Sequence, residues 1–192
     1  GHHRRQRQMC IRDRNKAIRC FHKIPTYRFR PRDYRIYKLK MKGFNSGAFS
    51  EKSKNSKYGI VYTTWNTEIV SDLLEEACKE LIEQGVDSKN IITKEVPGAF
   101  ELPLAAKLLS KDCSTVIALG AIIRGDTPHF DYISSACVQG LQSTALETEV
   151  PIICGVLTTD NDEQALERSD PNRMNKGKEF AQTAMNTVDC LT

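Results

Sequence analysis

Nucleotide-binding and hydrolase motifs are missing from this chain of 192 residues. It has no GxxxxGK(S/T), GxGxxG, GxSxG or HExxH, which argues against an NTPase, a dinucleotide-dependent oxidoreductase, a serine hydrolase and a zinc protease. No apolar run approaches the roughly 20 residues that span a bilayer. What remains is a chain of one-domain size whose 40% apolar content is enough for a real core.

Histidine and paired cysteine are also scarce. The seven cysteines are widely spaced without a CxxC pair, and from residue 41 onward His129 is the only histidine. A structural zinc site needs four such ligands, usually in close pairs. The sequence therefore predicts no metal site. Since nothing in the spacing suggests a disulfide framework, it also predicts a reducing, cytoplasmic compartment.

Charge is divided unevenly along the chain. Residues 1–40 carry fourteen Lys and Arg against two Asp, whereas the remainder carries fourteen basic and twenty-two acidic residues. A basic arm could bind nucleic acid or an anionic membrane, or it could be a transit peptide, although it contains no serine. A third interpretation rests on MCIRDR, residues 9–14, which resembles the in-frame translation of a sequencing-adapter end.

The third interpretation is the one we prefer for the arm. It makes residues 1–40 an assembly artefact or a disordered extension and Met41 the natural start. The folded domain is then predicted over 41–192. The net positive charge of the chain would give no reason to expect a nucleic-acid or membrane partner.

Short apolar runs alternate with amphipathic segments from Tyr58 onward. The runs YGIVY, NIITKEV, STVIALG and PIICGVL predict four strands, and residues 68–85 have apolar side chains at helical spacing before Gly85. Further helices are predicted over 101–110, 132–147, around 161–168 and from about 178 to 190. This alternation predicts an α/β fold with a parallel sheet covered by helices on both faces.

In an open parallel sheet, ligands bind beyond the carboxyl ends of the strands. Polar and aromatic groups follow each predicted strand: Trp65 and Asn66, then PGAFE, then RGDTPH, then TTDN. Each has an alternative structural explanation, such as core packing for Trp65, turn formation for Gly98, helix capping for Asp126 or an ion pair for Arg124. Their convergence nevertheless favours a site in which one imidazole moves protons on a reactive substrate.

Four segments, VPGAFELPLAAK, ALGAIIRGDTPHFDYI, PIICGVLTTDNDEQALERS and NKG, resemble the motifs of the 6,7-dimethyl-8-ribityllumazine synthase family of riboflavin biosynthesis. The resemblance runs from about Tyr58 to Val188. It implies a flavodoxin-like three-layer fold with a four-stranded parallel sheet. It also implies a transferase that condenses 5-amino-6-(D-ribitylamino)uracil with 3,4-dihydroxy-2-butanone 4-phosphate, without cofactor or metal.

The resemblance implies a role for each candidate residue. His129 matches the proton-transfer residue, and Asp126, Thr127 and Arg168 match the phosphate-binding positions. Lys176 and Glu179 match a charged pair near the site. The positions that contact the pyrimidine ring and its ribityl chain are Trp65, Asn66, Ala99, Phe100, Glu101, Ala121, Ile122, Ile123 and Cys154. Cys154 departs from the family pattern, which has an aromatic residue there that reaches a neighbouring subunit.

The family resemblance implies homopentamers, in many members a sixty-subunit shell, and an association with riboflavin synthase. It implies a shared site, in which GDTPH of one chain faces Trp65 and GAFE of another. The segment GFNSGAFSEKSK, residues 43–54, has the length to run along a neighbour as an extra edge strand. Two other functions stay open: an archaeal-type riboflavin synthase, and a flavin- or lumazine-binding shell protein that has lost catalysis.

Overall fold

The computed structural model describes residues 48–191. The helices and strands in chain order are α1 (Glu51–Asn55), β1 (Tyr58–Thr63), α2 (Thr67–Glu83), β2 (Ile91–Val96), α3 (Leu102–Leu109), β3 (Thr115–Ile123), α4 (His129–Thr148), β4 (Ile152–Thr159), α5 (Asp162–Ser169) and α6 (Lys176–Leu191). Single turns of 3₁₀ helix cover Ser88–Asn90 and Ala99–Glu101. The predictions about residues 1–40 lie outside the described residues.

The four strands form one parallel sheet in the order β2-β1-β3-β4. Helices α2, α5 and α6 cover one face, where Leu73 and Met185 are fully buried. Helices α3 and α4 cover the other face around Leu102 and Leu141. The predicted α/β class, the four-stranded parallel sheet and the three layers are confirmed, because continuous apolar strands must be covered on both faces.

The secondary structure of α1 differs from the prediction. We expected 43–54 to form an edge strand, but residues 51–55 are helical, and 43–47 lie outside the described residues. Ser50 caps this helix by accepting a hydrogen bond from the Ser53 N–H at 3.2 Å, and it also contacts Asp189 of α6. Since Phe49 and Ser53 are buried, this segment packs on its own chain.

The α2–α6 boundary carries a column of acidic groups that we call the acid column: Asp72, Glu76 and Glu80, spaced one helical turn apart on α2. Each accepts a hydrogen bond from the segment that contains the end of α5 and the start of α6. The donors are Ser169 to Asp72, Asn175 to Glu76, and Gln182 and Lys178 to Glu80. The acid column therefore attaches residues 169–182 to α2.

Glu80 is the most buried member of the acid column, with 2% of its surface exposed. Burial pushes the pKa of its carboxyl up, but hydrogen bonds from Gln182, Lys178 and Gln84 outweigh burial and hold the pKa below its ordinary value of 4.5. A carboxyl with a lowered pKa stabilises the fold above its unfolded-state pKa. That stabilisation is lost as the pH falls through the folded-state value.

Replacing Glu80 with alanine should lower the free energy of unfolding by about 3 kcal/mol at neutral pH, because it leaves Lys178 and two amides without their acceptor. Urea denaturation measures this change. The exposed Glu83 on the same helix is the control, and Glu83→Ala should change the free energy by under about 0.5 kcal/mol. The difference between wild type and Glu80→Ala should shrink below pH 4.5; a constant difference would contradict an ionised Glu80.

Candidate active site

A cavity of about 580 Å³ opens beyond the carboxyl ends of β1, β2 and β3. It is lined by Thr63, Trp65, Asn66, Pro97, Gly98, Ala99, Phe100, Glu101, Ala121, Ile122, Ile123, Gly125, Thr127, His129, Phe130, Ile133 and Asp162. A larger hollow of about 750 Å³ lies at the amino ends of the strands, among polar residues of α1 and the turn at 111–114. The first cavity is the one that contains the predicted groups.

Most of the predicted site residues line this one cavity. Those that do are Trp65, Asn66, Ala99, Phe100, Glu101, Ala121, Ile122, Ile123, Thr127 and His129. Those that do not are Asp126, Cys154, Arg168, Lys176 and Glu179. The expectation that GDTPH faces Trp65 and GAFE across a subunit boundary is wrong, because the ends of β1, β2 and β3 are neighbours in one sheet.

Trp65 is a surface group in this chain. Its side chain is 72% exposed, which excludes the alternative of a core tryptophan. The turn that carries it is fixed to the end of β2, because the Thr64 N–H donates to the Val96 carbonyl at 2.9 Å and the Thr64 hydroxyl donates to the Pro97 carbonyl at 2.9 Å. An indole held in this way presents an apolar face to the cavity.

Asn66 connects the same turn to β3. Its backbone is left-handed, with φ 59° and ψ 46°, a conformation that asparagine tolerates better than most residues. Its amide Nδ2 donates to the Ala121 carbonyl at 2.8 Å instead of capping α2. Asn66 thus brings the ends of β1 and β3 together at the cavity.

The GAFE segment forms the 3₁₀ turn before α3. Glu101 accepts the Gly98 N–H at 3.0 Å, so its carboxylate is oriented by its own turn. Phe100 is 63% exposed and lines the cavity together with Trp65. Two exposed aromatic rings and a fixed carboxylate suit a ligand that combines a flat ring with hydroxyl groups.

His129 is the first residue of α4, three residues earlier than the predicted helix start. Pro128 occupies the N-cap position, and no side chain caps the helix, so the capping role considered for Asp126 is wrong. The first turn of a helix leaves N–H groups without helical partners and carries partial positive charge. Thr127 and His129 therefore lie where the 20-residue α4 favours an anion.

The remaining predicted residues lie on β4, α5 and α6. The Arg168 guanidinium donates to the Gln164 carbonyl at 2.8 Å within α5, and Lys176 forms an ion pair with Glu179 at 2.6 Å. Cys154 is exposed on the edge strand β4. None of these groups lines the cavity of a single chain.

Cys154 lies close to a second thiol on the inner side of α4. Burial, together with the electrostatic effect of the nearby Cys154, raises the pKa of the Cys137 thiol to about 12. Cys137 is fully buried and thus acts as a packing group at neutral pH. Cys154 is exposed and is therefore the one of these two thiols that solvent can reach.

Several cavity residues were missed by the sequence interpretation. They are Thr63, Phe130, Ile133 and Asp162. Ile133 could have been found, since it lies one helical turn after His129 once α4 is known to begin there. Thr63 could also have been found, since it directly follows the predicted strand YGIVY and the end-of-strand rule applies there.

Residues 48–191 contain neither a candidate metal centre nor a candidate membrane-spanning helix. Within this range no group of three or more His, Cys, Asp and Glu side chains is arranged to hold a metal ion. None of the helices in the same range is both long enough and apolar enough to cross a membrane.

Comparison with known proteins matches the chain to one family model and to many curated relatives. Residues 55–192 match the family model described as 6,7-dimethyl-8-ribityllumazine synthase. A 6,7-dimethyl-8-ribityllumazine synthase of Protochlamydia amoebophila (strain UWE25) is 46% identical over 136 residues, which cover 70% of this chain and 79% of the relative. The range matched by the family model contains all four strands and every residue that lines the cavity.

Proposed function

Because the chain belongs to the 6,7-dimethyl-8-ribityllumazine synthase family, a transferase family of riboflavin biosynthesis, we propose that its cavity binds the two substrates of that condensation. These are 5-amino-6-(D-ribitylamino)uracil and 3,4-dihydroxy-2-butanone 4-phosphate. The observation that carries the proposal is the meeting of Trp65, the GAFE turn and His129 around one cavity of about 580 Å³.

The test is an absorbance assay for lumazine formation from both substrates, followed by product analysis. The full chain and a version comprising residues 41–192 should have the same kcat/KM if residues 1–40 take no part. Lumazine from the two substrates supports the proposal. Riboflavin produced from lumazine would instead indicate a riboflavin synthase, and bound flavin without turnover would indicate a shell protein that lacks catalysis.

The pyrimidine substrate fits the side of the cavity formed by β1, β2 and β3. The exposed rings of Trp65 and Phe100 provide stacking surfaces, and Asn66, Ala99 and the segment Ala121–Ile123 form the adjoining wall. Glu101 accepts hydrogen bonds from ribityl hydroxyls. Its carboxylate is already oriented by the Gly98 N–H, so little side-chain entropy is lost on binding.

The phosphorylated substrate fits the start of α4. Backbone N–H groups there and the Thr127 hydroxyl can donate to phosphate oxygens, and Asp126 lies in the same turn. Arg168 adds a guanidinium fork, the strongest side-chain partner for a phosphate. Since Arg168 lies outside the cavity of its own chain, a neighbouring chain supplies it in this proposal.

His129 moves the protons of the reaction. The pyrimidine amine attacks the ketone carbon, a water leaves to give an imine, the phosphate leaves, and the second amine closes the ring with loss of water. Holding both partners in register can contribute on the order of 7–11 kcal/mol. An imidazole that donates to the leaving oxygens and accepts the amine and carbon protons adds a further factor on the order of 10²–10⁴.

The groups outside the cavity support a homo-oligomer. Cys154, Arg168 and the Lys176–Glu179 pair lie away from the cavity of one chain, and α3 and α4 expose large apolar side chains, namely Leu104, Leu108, Tyr132, Val138 and Leu146. Exposed apolar surface of this kind marks interfaces. A homopentamer, or a sixty-subunit shell that also associates with riboflavin synthase in the cytoplasm, is the assembly we propose.

Size exclusion coupled to light scattering tests the assembly. A mass of five chains would indicate the pentamer and a mass of sixty chains the shell, and either result supports the proposal. An active species with the mass of one chain would contradict it. Addition of riboflavin synthase to the same column tests the association, which requires the two proteins to elute together.

Saturating riboflavin should quench the fluorescence of Trp65, the only tryptophan in the chain, by more than half if its ring stacks on the ligand. The reason is that the indole is exposed at the cavity, so direct ring contact and energy transfer are both available. A titration of emission against ligand measures it. Free tryptophan at equal absorbance corrects for the inner-filter effect, and unchanged corrected emission would separate Trp65 from the pyrimidine site.

A further inference from the structure

Arg124 lies at the cavity without forming its wall. It follows directly after β3, and both of its chain neighbours, Ile123 and Gly125, line the cavity, whereas Arg124 does not. Its backbone N–H donates to the Thr159 carbonyl at 2.9 Å, so the main chain here continues the β3–β4 ladder. The guanidinium is thus available for contacts behind the loop at 125–128.

The guanidinium joins two other elements at that place. Its Nε donates to Oδ1 of Asp160, at the end of β4, over 3.1 Å. Its two terminal nitrogens donate to Oδ1 and Oδ2 of Asp131, in the first turn of α4, over 3.2 and 3.4 Å. Its Cζ also lies 4.0 Å from the centre of the Phe130 ring.

Only an arginine can make this set of contacts. The planar fork binds one carboxylate with two nitrogens, keeps Nε for a second carboxylate and stacks on a ring, whereas lysine offers a single point charge. Each contact is partly exposed and worth little alone. Together they restrain one side chain from three directions, which we call the Arg124 clamp.

The Arg124 clamp acts on the start of α4. No side chain caps that helix, and the clamp contacts its residues Phe130 and Asp131, directly after His129. The loop enclosed between Arg124 and Asp131 carries Thr127 and His129 into the cavity. The position of both groups relative to the sheet therefore depends on the clamp.

We propose that Arg124 is a positioning residue for the condensation, which fixes Thr127 and His129 through its bonds to Asp131 and Asp160. The inference rests on the proposed function, since it assigns Arg124 an effect on that reaction. The inference predicts that loss of Arg124 lowers kcat, although its side chain contacts no substrate. Trp65 and Phe100, the two aromatic rings on the pyrimidine side of the cavity, lie on other loops than the clamp.

Arg124→Met should lower kcat about tenfold and raise KM for the phosphorylated substrate, because small displacements of catalytic groups are costly. KM for the pyrimidine should stay within about twofold. Arg124→Lys should lose nearly as much kcat, since charge without the fork does not rebuild the clamp. In an His129→Ala background, Arg124→Met should cause no further fall in kcat, because the group that it positions is gone.

The matched control is Arg173→Met. Arg173 is as exposed as Arg124, 49% against 43%, and pairs with Glu167 at 3.3 Å away from the cavity, so its loss should leave kcat unchanged. Asp160→Asn removes one arm of the clamp with little risk to folding and should lower kcat about threefold. Hydrogen exchange of the 124–131 amides should accelerate in Arg124→Met while the strands keep their protection.

The outcomes separate the two hypotheses. If wild type makes lumazine and Arg124→Met keeps its kcat, or Arg124→Lys restores it fully, the clamp is refuted while the proposed function stands. The clamp is also refuted if the effects of Arg124→Met and His129→Ala multiply. If wild type makes no lumazine, the proposed function fails, and the effect assigned to Arg124 on the reaction fails with it.

Discussion

Alanine at position 129 should lower kcat for lumazine formation about 10²-fold, with KM for each substrate within about twofold of wild type. His129 provides the only imidazole among residues 48–191, and it faces the cavity beside the turn assigned to phosphate. A proton shuttle contributes in the transition state, whereas stacking and phosphate contacts act in the bound ground state as well. The loss should therefore appear in turnover and leave binding largely unchanged.

The exposure of His129 permits a sharper form of this test. Added imidazole can enter an open cavity, so it should restore part of the activity of His129→Ala and little of that of Arg168→Ala. His129→Asn keeps a polar side chain without the imidazole ring and should be as slow as the alanine variant. An unchanged kcat in His129→Ala would remove this residue from the mechanism.

The second large effect is expected for Arg168→Ala. A hydrogen-bonded guanidinium–phosphate pair is worth about 1.5–3 kcal/mol, so KM for the phosphorylated substrate should rise on the order of 10- to 10²-fold. KM for the pyrimidine should hardly change. Steady-state kinetics with one substrate varied at a time measures the two separately, and equal effects on both would refute the assignment as a phosphate ligand.

Arg168 and His129 also provide a test of the shared site. Arg168 lies outside the cavity that His129 faces, so a complete site in the proposal takes one residue from each of two chains. Mixed and reassembled His129→Ala and Arg168→Ala chains should then contain some wild-type sites and regain activity. Re-mixing without disassembly is the control. No gain after verified mixed assembly would contradict sharing between chains.

Much of the fold could be predicted from the sequence because the pattern of apolar residues indicates which side chains are buried. The strand YGIVY is buried on both faces, and its neighbour β3 repeats the pattern, so a parallel sheet was predictable. The end-of-strand rule then located Trp65 and His129 correctly at one edge. In these strands the burial of apolar side chains explains both the sequence pattern and the tertiary structure.

The wrong predictions concern segments whose secondary structure depends on tertiary contacts. Residues 51–55 are too short and too polar for a period to be read, and Ser50 and the packing against α6 make them helical. Pro128 occupies the N-cap of α4, and Arg124 bonds to Asp131 in the first turn of that helix and to Asp160 after β4. Tertiary partners of this kind leave no periodic signal in the sequence.

The acid column has a consequence for changing the chain length. Ser169 and Asn175, at the two ends of the turn between α5 and α6, are both bonded to α2, through Asp72 and Glu76. Between these anchors, Pro171 and Asn172 are exposed. A peptide inserted between Pro171 and Asn172 would extend from the surface while Arg168 and Lys176 kept their places, which makes this turn the natural position for displaying a foreign epitope.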